Sequence, residues 1–246
     1  MKSRKFLSLA FCFLASGVHS ARGAGDSRQD VHDRDALWRI VSHCLPDEYA
    51  ADYCALCPAP LARYLASCID SSGQDPVAVC RETSEVWAQT KDYVAVRDRS
   101  MCGCPPGYVH GLALPLRKVT GIEDPSKPDG IWRFAWNSAR GKIGAEFSIL
   151  LAVNSPRWRS QDQLHVHLAR LDDATRRRIR DGRHVRVEDL SRVWAAAARL
   201  AGAEGLPADG YGVALIRDPE NGGFLIAALT GGIERGFAAL SCGRGR

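Results

Sequence analysis

No long apolar run follows the first twenty residues of this 246-residue chain. Nothing beyond position 20 approaches the about 18–20 consecutive apolar residues that a spanning helix needs, so no transmembrane helix is expected there. The one apolar stretch, Phe6 to Val18, is itself short of that length and follows Lys2, Arg4 and Lys5. Small residues come next, at Ser20, Ala21, Gly23 and Ala24. This order is the pattern of a secretory signal spanning residues 1–20, with an uncleaved anchor as the alternative. Cys12 follows Phe11, where a lipoprotein signal needs a small residue, which disfavours a lipid anchor.

An excess of one charge is also missing. The 33 Lys and Arg face 28 Asp and Glu, and three of the cations leave with the leader. The remaining chain is nearly neutral, which gives no support to a nucleic-acid partner, since that needs a concentrated basic patch. Internal repeats are absent, so solenoids and propellers are excluded.

Cysteine is plentiful: Cys44, Cys54, Cys57, Cys68, Cys80, Cys102, Cys104 and Cys242 remain once Cys12 is set aside. An even number in an exported chain points to disulfides, although spacing does not give their connectivity. Cys54-x-x-Cys57 and Cys102-x-Cys104 are the zinc alternative, without the usual knuckle separation. Five of the eight fall between Cys44 and Cys80, so residues 30–90 read as a cysteine-rich helical extension and 91–242 as the catalytic domain. Asp35 to His43 has the spacing of an amphipathic helix with Leu37, Ile40 and Val41 on one side, and Pro46 ends it. A second helix is expected from Pro58 to Ser67.

Strands are expected at Tyr93–Arg97 and Tyr108–Leu116, paired as neighbours, then at Phe147–Val153 and Leu164–Leu171. Helices are expected at Ile131–Ala139, from an Asp172 cap to Arg180, and from Glu188 to Ala201. Tyr211–Arg217 and Gly223–Leu229, separated by Asp218-Pro-Glu-Asn-Gly222, read as a hairpin. Antiparallel strands with inserted helices define an α+β class.

The chemistry concentrates in Asn154-Ser-Pro-Arg-Trp-Arg159-Ser160-Gln161-Asp-Gln163-Leu-His165-Val-His167-Leu168. Side chains alternate along a strand, so Leu164, Val166 and Leu168 face the core while Gln163, His165 and His167 share the other face, about 6.5–7 Å apart. Two imidazoles at that spacing reach different atoms of one phosphoryl group. Neutral imidazole is a nucleophile near neutral pH, and a phosphoramidate intermediate divides one hard displacement into two. Ser160, Gln161 and Arg159 offer a hydroxyl, an amide and a cation to phosphate oxygens, and Asn154 a further amide. Taken alone, a His-x-His pair is also compatible with ordinary polar-face residues or metal ligands. His32, His43 and His184 lack such surroundings and read as surface groups. Arg176 to Arg178, Arg180, Arg183 and Arg186 read either as a solvated helix face or as an anionic-lipid surface. Trp132, Phe134 and Trp136 read as core before acyl contact.

The segment from Asn154 to Leu168 resembles the active-site segment of the histidine-triad superfamily, and within it the CDP-diacylglycerol pyrophosphatase family. The flanks share the resemblance: Leu37-Trp-Arg-Ile-Val-Ser-His-Cys44-Leu-Pro46, Leu112-Ala-Leu-Pro115, Glu123 to Trp132 with Phe134-Ala-Trp136, and Gly210-Tyr-Gly-Val-Ala-Leu-Ile216. It extends over most of residues 35 to 242. It implies a histidine-triad-type antiparallel sheet with packed helices, and hydrolysis of CDP-diacylglycerol to CMP and phosphatidate. By that resemblance His165 is the nucleophile and His167 the histidine on phosphate oxygens. No cofactor or metal is implied, while a membrane surface and a homodimer become expected partners and the periplasm or inner membrane the expected location.

Gln163 departs from the motif, which has a histidine there. If that residue serves through its backbone carbonyl, glutamine is tolerated. His110, five residues before Pro115, falls where related hydrolases carry an upstream histidine, and is expected to compensate for Gln163. Two alternatives stay open: a hydrolase or transferase of soluble nucleotide conjugates, and an inactive binding protein of the same fold.

Overall fold

The computed structural model describes residues 34–44, 86–98, 107–233, 236 and 238, all within the unit His32–Arg246. The expected leader, the helix at 58–67, the cysteine loop at 102–106 and the disulfide pairing lie outside the described residues.

Eight strands form one antiparallel sheet: β1 (Val86–Gln89), β2 (Tyr93–Arg97), β3 (His110–Pro115), β4 (Ile149–Val153), β5 (Val166–Arg170), β6 (Val185–Val187), β7 (Gly212–Arg217) and β8 (Phe224–Leu229). Their spatial order is β1-β2-β3-β5-β4-β7-β8-β6. Among the described residues the α-helices are α1 (Ala36–Arg39), continued by a π-helical turn at Ile40–Cys44, α2 (Gly130–Ile143), α3 (Asp173–Asp181) and α4 (Val193–Ala203). The α+β class expected from the pattern is the class observed.

Both faces of the sheet are covered, which explains why β4 is apolar at every position. Leu151, Val153, Val166, Leu168, Val213 and Leu215 pack with Trp132, Ala135 and Trp136 of α2 and Val193 and Ala197 of α4. Leu150, Ala152, Ala169, Ala214 and Ile216 form a second cluster with Ile179 of α3 and Ile233. Trp132 and Trp136 are therefore core residues, as expected, with Trp132 wholly buried and edge-on to Trp194 at 4.8 Å.

Helix ends follow local chemistry. The Asp172 carboxylate accepts from the Thr175 amide at 2.5 Å to open α3, a cap worth about 1 kcal/mol. Gly144, at φ 81°, closes α2 one turn beyond the expected end at Ala139. α4 starts at Val193 rather than Glu188, because Asp189 first caps a single 3-10 turn at Leu190–Arg192. It runs through the expected terminator Gly202 to Ala203. β7 and β8 pair along their whole length, as expected for a hairpin. The two edge strands β1 and β6 have no counterpart in the sequence expectations.

Candidate active site

The site is built where β3, β5 and β4 lie side by side. The register sets His110 opposite Ala169 and Leu112 opposite His167, with Ala152 of β4 on the far side of His167. Directly opposed residues share a face, so His110 and His167 emerge on the same face one diagonal step apart. Their rings stack at 5.1 Å, with His110 Nε2 2.9 Å from His167 Nδ1. β2 extends the row. Arg97 opposes Gly111, so Asp98 comes opposite His110 and its amide donates to the His110 carbonyl at 3.0 Å. Asp98 Oδ2 lies 3.4 Å from His110 Nδ1.

His165 sits one residue before β5, and all three histidines are buried. His165 Nδ1 donates to the Gln163 carbonyl at 2.7 Å. A ring held as a donor at Nδ1 carries its lone pair on Nε2, the tautomer a nucleophile requires. The His165 ring stands edge-on to His167 at 4.8 Å and lines a small cleft with Asn154, Arg159, Gln163, Gly121 and Val153.

Gln163 holds this segment to the loop after β3. Its Oε1 accepts from the Val119 amide at 3.2 Å, and its Nε2 donates to the carbonyls of Pro115 at 3.0 Å and Arg117 at 2.8 Å. The Leu164 amide adds a bond to the Val119 carbonyl at 2.7 Å. Glutamine thus orients His165 through its backbone and anchors it through its side chain. His110 meets His167, apart from the loop that the Gln163 side chain anchors.

Asn154 bridges two regions of the chain. Its Oδ1 accepts from the Ile233 amide at 2.7 Å, and its Nδ2 lies 3.4 Å from His167 Nε2. Close approach of β7 is needed here. A Cβ on Gly212 would stand 2.4 Å from the Val153 carbonyl oxygen and 3.0 Å from the Ser155 amide.

The remaining sequence candidates divide. Arg159 lines the cleft, but its guanidinium is met by Glu123 at 2.6 Å and Asp162 at 3.2 Å. Asp162 is also gripped by Arg34, through Nε at 3.0 Å and Nη2 at 2.5 Å. The hydrogen bonds from Arg34, and secondarily those from Arg159, hold the Asp162 carboxyl below the usual aspartate range. Gln161 accepts from the Leu37 amide at 3.0 Å and donates to the Ser160 carbonyl at 3.1 Å, so it joins α1 to the site loop. Ser160 is exposed.

Asp98, Glu123, Asp162, Arg34 and Ile233 were not legible as site residues, since each reaches the site only through strand register or loop packing. Asp98, His110 and His167 are also the group of possible metal ligands among the described residues, their donor atoms within 4.8 Å of one another. Asp98 approaches His110 at Nδ1, and His167 meets it at Nε2. The 2.9 Å approach of His110 Nε2 to His167 Nδ1 engages those two nitrogens with each other.

Fold and site together define an α+β protein with a buried histidine cluster at the edge of a small cleft. The family model for CDP-diacylglycerol pyrophosphatase matches residues 32–204, well over half of the chain, and the protein belongs to that family. A probable CDP-diacylglycerol pyrophosphatase of Mycobacterium leprae (strain TN) is 38% identical over 76 residues, 26% of this chain and 28% of that protein. The chain thus matches less than a third of that relative's length.

Proposed function

We propose that this protein hydrolyses the pyrophosphate of CDP-diacylglycerol, giving CMP and phosphatidate, with His165 as nucleophile. The observation that carries the reading is the 2.7 Å bond from His165 Nδ1 to the Gln163 carbonyl, which leaves Nε2 as the basic nitrogen of a cleft-lining imidazole. Family membership and the relative's printed name supply the substrate. In this scheme Nε2 attacks the phosphorus attached to the nucleoside, the P–N bond forms, and the bridging P–O bond breaks to release phosphatidate. Water then cleaves the P–N bond, freeing CMP and restoring the imidazole. Amides at Asn154 and the ring of His167 face the non-bridging oxygens. The fold is read as the histidine-triad type.

A lipid substrate requires an approach to a membrane surface, and Trp158 fits that role. It is 63% exposed on the loop that carries Asn154 and Arg159, beside exposed Arg157. Tryptophan with a neighbouring cation is favoured at the headgroup level. No helix among the described residues is long and apolar enough to cross a membrane. Export and residence on the periplasmic side belong to the same proposal.

The test is CMP release from CDP-diacylglycerol in mixed micelles by the full-length chain, with a soluble CDP conjugate in parallel. We expect the lipid substrate to be hydrolysed, radiolabel from the nucleotide phosphate to be trapped on His165, and His165→Ala to lower kcat by about 10³-fold or more. Preference for the soluble conjugate would assign the chain to nucleotide-conjugate hydrolysis, and absence of both turnover and label would mark a binding protein.

A further inference from the structure

We propose that Asp98 anchors a proton relay of two imidazoles, His110 and His167, whose open end serves phosphate at the His165 site. What the relay serves rests on the nucleotidyl-histidine reading above, whereas the relay itself stands on hydrogen-bond polarity.

The polarity is set from both ends. At one end the Ile233 amide can only donate, so the Asn154 atom it meets at 2.7 Å is the oxygen, and the NH2 group of Asn154 is the end turned to His167. An NH2 group also donates only, so His167 Nε2 accepts. A neutral imidazole with an accepting Nε2 carries its hydrogen on Nδ1, and that N–H donates to His110 Nε2 at 2.9 Å. His110 then bears its hydrogen on Nδ1, which faces the Asp98 carboxylate at 3.4 Å. In this order every donor meets an acceptor. The reverse order would set an N–H of His167 against the NH2 of Asn154 and leave Asp98 facing a lone pair.

The row can take up one proton without placing a cation beside the nucleophile. A proton arriving at His167 Nε2 lets the Nδ1 hydrogen pass to His110 Nε2, and the positive charge then lies on His110 against Asp98. One proton enters, one shifts along the row, and both steps reverse when product leaves. His167 thereby presents an N–H to a phosphate oxygen while the ring next to His165, 4.8 Å away, stays neutral. The 3.4 Å contact with Asn154 is long for a hydrogen bond, so it yields readily to substrate. Asn154 Nδ2 can then donate to the same phosphate. Asp98 touches no reacting atom in this scheme and is a positioning residue, in the sense that a partly buried carboxylate orients an imidazole.

The deciding experiment pairs kinetics with imidazole ¹H–¹⁵N correlation spectra of the ¹⁵N-labelled full-length chain. Without nucleotide, His167 should show a protonated Nδ1 and an unprotonated Nε2. Asp98→Asn should erase that preference and lower kcat on CDP-diacylglycerol about tenfold or more, with KM little changed. A wild-type spectrum with the opposite tautomer at His167 overturns the relay whether or not the variant folds. So does a folded Asp98→Asn variant with unaltered kcat. If the wild-type chain shows the expected tautomers, loses them in Asp98→Asn, and yet releases no CMP from CDP-diacylglycerol, the relay stands and the substrate reading falls.

Discussion

Gln163 shows how one residue can serve a site from both ends. Its carbonyl fixes the His165 tautomer, and its buried amide makes three bonds to backbone at Pro115, Arg117 and Val119. Any residue supplies that carbonyl, so what is particular to glutamine here is the loop anchoring by its side-chain amide. Gln163→Ala keeps the carbonyl and strips the anchors. Leaving buried backbone groups unpaired costs about 1–3 kcal/mol. Thermal unfolding should report that loss, while label trapped on His165, the proposed nucleophile, should persist, since the His165 hydrogen bond to the carbonyl is untouched. An unchanged melting temperature would show that the loop is held by something else. At this scale the His165 and His167 pair was readable in the sequence, since alternation along a strand is a local rule. Asp98 was not, because its place beside His110 depends on the pairing of β2 with β3, two segments that share no motif.

The elements around the site differ in how visible they were. β2, β4, β7 and β8 are apolar runs bounded by turn residues, and their positions follow from composition alone. β1 and β6 escaped because each is short and half-exposed, with a bulge in β1 between Val86 and Ala88 and an arginine in the middle of β6. Their strand character comes from the neighbours they pair with. The arginine-rich α3 segment is an ion-paired surface: Arg176 meets Asp173, Arg180 meets Asp181, Arg183 meets Glu204 and Arg186 meets Glu188 and Asp218. α1 reaches the site loop through Arg34, Asp162 and Arg159, with the Asp162 amide also donating to the Arg34 carbonyl at 2.7 Å. Because the folded Asp162 carboxyl is held below its ordinary value, its contribution is present above that value and is lost as pH falls through the lowered one. Amide exchange at residues 34–41 should therefore quicken on acidification below about pH 4, and Arg34→Gln should produce the same loosening at neutral pH. Equal exchange in the wild-type chain and the variant would separate α1 from this network.

At the scale of the whole molecule, the described residues bury their apolar side chains on both faces of the sheet, and Phe147 and Trp158 are the large exposed apolar side chains among them. Trp132 and Trp136 are committed to the core, whereas Trp158 is exposed on the loop that carries Arg159, and the proposed approach to a lipid surface is tested there. Trp158→Ser should raise KM severalfold for CDP-diacylglycerol in vesicles and leave a soluble CDP conjugate unaffected. A buried aromatic contributes 1 kcal/mol or more at such an interface, enough for that change. Equal effects on both substrates would mean that Trp158 shapes the cleft instead.

The amino-acid order alone determined the class of fold, most of its elements and the two histidines of the motif, because propensity, periodicity and capping act over a few residues. Tertiary structure alone decided the row from Asp98 to Asn154, the pairing of Arg159 with two carboxylates, and the anchoring of Gln163. Those contacts join positions tens of residues apart, and strand register is set by the packing of the whole sheet.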